Sequence, residues 1–192
     1  MKQLIAAGLR DSNKAKEDFY QANKDEICRL AAAIIDVLRN GNKILIFGNG
    51  GSAADAQHMA AEFVNRFLIE RPPLAALALT TDSSILTSIG NDFSFDDIFV
   101  KQIAALAKEG DLAMGISTSG NSANVIKAIE RAAEMGLKTA ALTGGSGGRL
   151  AAMAHFSLNV PTTFTPHIQE THLWVEHLLC QLVDEEMFGE RS

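Results

Sequence analysis

The sequence predicts an α/β fold: a three-layer αβα sandwich with a five-stranded parallel sheet, flavodoxin-like in kind, preceded by a helical segment. Three observations carry this. Five short apolar runs recur between residues 43 and 160. Helix-like segments fill the intervals between them. The runs are mostly apolar, as strands covered on both faces are, whereas a half-exposed strand alternates.

Each element has its own reason. The first forty residues read as helix, because Leu30, Ala33, Ile34 and Leu38 recur at helical spacing, Asp25 and Glu26 lie near a start, and Gly41 marks a stop. The strand-like runs are 43–47 (closed by Gly48), 74–79, 111–116, 138–142 and 156–160. Helical segments are expected near 53–67, 82–89, 96–108 and 122–135, the last closed by Gly136. The tail from His167 to Phe188 reads as a long amphipathic helix carrying Leu173, Leu178, Leu182 and Val183. The whole chain, 1–192, reads as one domain: a helical segment over 1–41 and an αβα core with a terminal helix over 42–192.

Composition narrows the function. The chain has 192 residues, 47% hydrophobic and 21% charged, which suits a soluble core-forming protein. A net charge of -6 argues against a nucleic-acid partner. It also means that an anionic ligand must be held by local groups, since the global field repels it. No run approaches the ~20 apolar residues of a membrane span, and the first residues do not form a signal peptide, so the cytoplasm is the expected compartment. Cys28 and Cys180 are far apart without metal-type spacing and read as buried reduced thiols.

In open parallel sheets, ligands bind beyond the carboxyl ends of the strands, so the loops there draw the closest reading. Gly48-Asn49-Gly50-Gly51-Ser52-Ala53 joins the first run to a helix. Its glycines let a backbone approach a ligand, and Ser52 is placed to cap a helix whose free N–H groups favour an anion. The same turn also serves as a plain strand-to-helix connection. It is neither the dinucleotide fingerprint nor a P-loop. Ser117-Thr118-Ser119-Gly120-Asn121-Ser122 follows the third run, with four hydroxyls where a helix begins. Hydroxyls and backbone N–H groups together encircle a phosphate without a cation, and one cap accounts for only one of the four.

Two histidine-bearing helices follow. His58 and Glu62, at i,i+4, share a helix face and suit a metal or a base with its partner, although such pairs are common on solvated faces. The last helix carries Gln169, Glu170, His172, Glu176 and His177. Gln169 and His177 are separated by roughly 12 Å of helix axis, so a shared site would need two subunits or an irregular helix start. Gly90-Asn91-Asp92 reads as a break between two helical stretches, able to meet sugar hydroxyls or to form a plain turn. Gly144-Gly145-Ser146-Gly147-Gly148 reads as a flexible connection, and Trp174 as a core or interface residue.

Gly48-Asn49-Gly50-Gly51-Ser52, Gly90-Asn91-Asp92-Phe93 and the stretch from Gly115 to Ile126 resemble the SIS family, and within it the sedoheptulose 7-phosphate isomerases. The similarity runs over nearly the whole chain, including Ile168-Gln169-Glu170-x-His172. It implies a homotetramer with active sites between subunits. It implies conversion of sedoheptulose 7-phosphate to D-glycero-D-manno-heptose 7-phosphate, the first step toward nucleotide-activated heptose for lipopolysaccharide and other bacterial glycans. By position, it implies substrate contacts at Asn49, Gly50, Gly51, Ser52, Glu62, Asn91, Asp92, Ser117, Thr118, Ser119, Ser122 and Gln169. It implies one zinc per subunit at His58, Glu62, Gln169 and His177, with Glu62 and His177 the catalytic pair. Glu62 is then the base and His177 the acid of an enediol mechanism. Two positions depart from the pattern of some relatives: Pro166 stands where an acidic residue occurs, and Ala53 where a histidine occurs.

The alternative is a non-catalytic SIS adaptor binding the replication initiator DnaA. The chain resembles the initiator-associating protein at Ser52–His58, Asn65-Arg66-Phe67 and Glu70-Arg71-Pro72, but that relative lacks acidic and histidine side chains at the positions of Glu62 and His177. A sugar-phosphate-sensing regulator would need a DNA-binding domain, for which the chain has no room.

Overall fold

Five parallel strands stand in the order β2-β1-β3-β4-β5, and the loops leaving their carboxyl ends gather at one edge. The computed structural model describes residues 1–189. The strands are β1 (Ile44–Gly48), β2 (Ala76–Ala78), β3 (Leu112–Ser117), β4 (Lys138–Gly144) and β5 (Phe156–Val160). The helices are α1 (Lys2–Arg39), α2 (Gly51–Val64), α3 (Ser83–Asp92), α4 (Val100–Leu106), α5 (Ala123–Glu134), α6 (Gly148–Met153) and α7 (Thr165–Phe188), with a 3-10 turn at Phe95–Asp97.

The strand period of two sorts the apolar runs between two cores. Ile44 and Ile46 of β1 and Met114 and Ile116 of β3 point to the layer made by α1, α2 and α7. Leu45, Phe47 and Ala113 point to the layer made by α3 to α6, where Ile103, Val125 and Ile129 meet them. All five residues of β1 and all six of β3 are buried, which accounts for their unbroken apolar character. The fold class expected from the sequence is the one observed.

Several boundaries differ from expectation. The segment near 96–108 is a 3-10 turn followed by the short α4. Gly90-Asn91-Asp92 does not break two helices but forms the last turn of α3, a helix started by Asp82 accepting from the Ile85 N–H. The glycine-rich connection after β4 is largely structured, since Gly148 opens α6. β2 shrinks to three residues at the sheet edge, where only β1 pairs with it. The tail helix starts at Thr165, with Pro166 in its first turn, where its missing N–H costs nothing. Cys180 is buried, but Cys28 is exposed, contrary to the reading of both as buried thiols. Trp174 packs on the core edge-on to Phe19 at 6.2 Å. Among the described residues, no helix is long and apolar enough to cross a membrane.

Candidate active site

The end of β3 and the start of α5 build a cradle of hydroxyls. The Ser117 Oγ lies 3.0 Å from Ser122 Oγ and 3.5 Å from Ser119 Oγ, so three of the four expected hydroxyls converge. Ser122 stands at the helix N-cap without making a side-chain cap bond, and the N–H groups of Ala123 and Asn124 that open α5 have no partner among the described residues, so they can meet a ligand. Thr118 and Ser119 turn toward a cavity of about 290 Å³ closed by Gly144, Gly145, Ser146, Thr163 and Thr165. Gly120, at φ 64, lets the loop fold back tightly: its carbonyl accepts from the Leu150 N–H, and a Cβ there would strike the Gly147 carbonyl.

The glycine loop lies beside this cradle, at the carboxyl end of the neighbouring strand. Asn49 is tied to the helix that follows the cradle. It exchanges two 2.9 Å hydrogen bonds with the amide of Asn124 at the start of α5. Ser52 is buried inside the first turn of α2 rather than capping it, and the cap position belongs to Gly50. Gly51 is the point of close approach: the Gln169 amide rests on it so tightly that a Cβ would overlap.

The two histidine-bearing helices meet within one chain. His58 Nε2 and His177 Nε2 are 2.7 Å apart, so one imidazole donates to the other. Glu62 Oε1 lies 3.7 Å from His58 Nε2. Phe67 stacks on the His177 ring at 5.4 Å and 20°, fixing its plane. α7 is regular throughout, and within one chain it brings His177 to His58 and Glu62. Gln169 reaches the start of α2 instead and makes no hydrogen bond to these three. Asn91 and Asp92 are exposed at the end of α3, bonded to each other at 2.8 Å and to no other candidate residue among those described.

Behind the imidazoles lies a set of buried polar groups that apolar periodicity does not reveal. His172 is fully buried, its Nε2–H donating to the Thr143 carbonyl at 3.0 Å, and burial pulls its pKa down to about 4. Its Nδ1, both carboxylate oxygens of Glu176 and Oδ2 of Asp55 are buried without partners among the described residues. Burial, aided by the neighbouring Asp55, holds the Glu176 carboxyl well above the usual range. Burial lifts Asp55 to about 6, opposed by His58.

The donor types at His58, Glu62 and His177, two imidazole nitrogens and a carboxylate, suit zinc. As they lie, no three His, Cys, Asp or Glu side chains among the described residues converge enough to hold a metal ion. Residues outside the sequence-based set also contribute. Asn124, Phe67, Thr163 and Thr165 frame the site, and Arg71 ties α2 to α7. The one signal for Arg71 was its place just beyond a helix end, before two prolines.

Residues 9–144 match the family model described as the SIS domain. The chain is 52% identical over 187 residues to a phosphoheptose isomerase of Nitratidesulfovibrio vulgaris, covering 97% of this chain and 90% of the relative. It is 52% identical over 192 residues to a phosphoheptose isomerase of Aquifex aeolicus, covering both chains in full. The solved structure of a phosphoheptose isomerase from Neisseria gonorrhoeae superimposes with a TM-score of 0.91 at 45% identity, covering 96% of this chain and 98% of that one.

Proposed function

The chain belongs to the SIS-domain family, with phosphoheptose isomerases as relatives along its full length, and from this premise we propose that it converts sedoheptulose 7-phosphate to D-glycero-D-manno-heptose 7-phosphate. One observation carries the reading at the level of chemistry. A phosphate-sized cradle of hydroxyls and helix N–H groups shares one end of the sheet with a carboxylate and two touching imidazoles. Such an arrangement holds a sugar phosphate by its remote end and moves protons at the other.

The chemistry requires a proton to pass from C1 of the ketose to C2. Glu62 takes the C1 proton, the C1–H electron pair forms the C1=C2 bond of an enediol, and the former carbonyl oxygen at C2 gains a proton from His177. The proton on Glu62 then returns to C2, while O1 gives up its proton to His177 and becomes the aldehyde oxygen. The contact with His58 gives His177 a partner able to accept or supply a proton as its tautomer changes. Ser117, Ser119 and Ser122 grip the phosphate, and Thr118 faces the adjoining cavity. His58, Glu62, Gln169 and His177 would have to draw together to hold one zinc per subunit, which would supply Lewis-acid chemistry there.

We also take the working unit to be a homotetramer with active sites between subunits. Asn91 and Asp92 support this, because they stand exposed and apart from the other site residues of their own chain. The first turns of α1 add an unpartnered apolar stripe of Leu4, Ile5 and Leu9. No observation favours the DnaA-adaptor reading.

The test is Glu62→Gln, assayed with sedoheptulose 7-phosphate. Turnover should fall at least about a hundredfold while phosphate binding stays near wild type. Wild-type turnover in this variant would refute the assignment.

A further inference from the structure

We propose that Arg71, locked onto Asp184, is the positioning residue for Glu62: it holds the end of α2 so that the carboxylate meets the sugar. The inference rests on the reading of Glu62 as the base.

The last carbonyls of a helix have no partners within it. At the end of α2, the Asn65 N–H takes the Ala61 carbonyl and the Leu74 N–H takes that of Phe63. The Glu62 carbonyl is taken by Arg71. Its Nη2 donates to Glu62 O at 2.9 Å, and its Nη1 donates to Phe63 O at 2.9 Å and Pro72 O at 3.2 Å. The Nε N–H donates to Asp184 Oδ1 of α7 at 2.6 Å. Both side chains are shut away from water, at 0% and 1% exposure. One guanidinium thus grips the peptide of Glu62, complements the negative end of α2, and fixes that end against the helix carrying His177.

Two facts point to positioning rather than bulk stability. The Glu62 carboxylate makes no hydrogen bond of its own to any described residue, and the His58 imidazole lies 3.7 Å from it. Its location is therefore inherited from the backbone that Arg71 holds. A buried ion pair, moreover, is often no more stabilising than apolar residues of the same volume, because desolvation cancels most of the attraction. What this pair supplies is directional: four N–H bonds set the end of α2 in register and distance against α7.

Two variants separate these roles. Arg71→Lys keeps a charge for Asp184 but lacks the planar fork that reaches the carbonyls of Glu62, Phe63 and Pro72. Arg71→Met combined with Asp184→Leu removes both charges and keeps the volume. Each is measured for thermal unfolding, binding of inorganic phosphate, kcat and KM, beside wild type and Glu62→Gln. The expected result in each folded variant is kcat lower by about tenfold or more, with KM and phosphate affinity within about twofold, since a small misplacement of a reacting group is that costly. A kcat within twofold of wild type in either folded variant overturns the proposal, as does a loss confined to KM. Failure of both variants to fold also overturns it, because the bonds then serve the fold. If Glu62→Gln itself keeps wild-type turnover, the base assignment has failed. If it loses turnover while the Arg71 variants do not, that assignment stands and only the positioning role falls.

Discussion

Replacing His172 by glutamine should change how the protein responds to acid. The imidazole is fully buried, and its Nε2–H is spent on the Thr143 carbonyl, so the folded state holds it neutral. Burial lowers its pKa from 6.5 to about 4, against the opposing pull of that hydrogen bond. A depressed folded-state pKa contributes stability that is whole above the unfolded value and is lost as pH falls toward the folded one. By linkage, the difference between these two values corresponds to about 3 kcal/mol lost between pH 7 and pH 4. That is a large share of the 5–15 kcal/mol typical of a domain. Glutamine retains an N–H donor for the Thr143 carbonyl and cannot take up a proton. Urea unfolding of chelator-treated protein at pH 7, 5.5 and 4 should show the wild type losing about 3 kcal/mol more than His172→Gln over that range. Parallel curves would refute the reasoning, since His172 would then be protonated, or already neutral, to the same extent in both states.

Two further perturbations test neighbouring features. Asp55 is raised from 3.8 to about 6 by burial, so its contribution is present below the lower value and lost as pH rises through the upper one. Asp55→Asn should therefore stabilise the protein by about 1 kcal/mol at pH 8, after discounting for solvent screening of a half-exposed group, and by nothing near pH 3, as measured by urea unfolding. At Gly120, alanine would meet both a positive φ and the Gly147 carbonyl. Gly120→Ala should cost about 1–3 kcal/mol and weaken phosphate binding several-fold, seen by thermal unfolding and by titration with inorganic phosphate.

The strands were legible because burial on both faces leaves a mark in composition. The run from Lys43 to Phe47 is β1 to within a residue at each end, and both cores draw on its alternating side chains. The serine cradle was legible for a different reason: four hydroxyls at one helix start exceed what capping requires, and three of them converge. α6 was hidden because its cap, Gly147, and its first residue, Gly148, are glycines, which in sequence resemble a loose connection. The inward face of α7 was hidden because it carries His172, Glu176 and Asp184 among its buried residues, while Leu173 is exposed. Apolar periodicity is blind to a polar stripe. The spacing of Gln169 and His177 was legible, but their neighbours were not: α2 lies alongside α7 and offers Gly51 to one and His58 to the other. Local sequence contains no trace of such lateral pairing.

The reciprocal amide pair of Asn49 and Asn124 has an evolutionary corollary. Each side chain gives one bond to the other and takes one from it, and Asn124 Oδ1 also accepts from the Val125 N–H. A change at either position alone strands a donor or an acceptor beside the site, where that is expensive. Drift at 49 is therefore coupled to drift at 124, and any lineage that reshapes its anion-gripping turn must renegotiate the glycine turn in the same step.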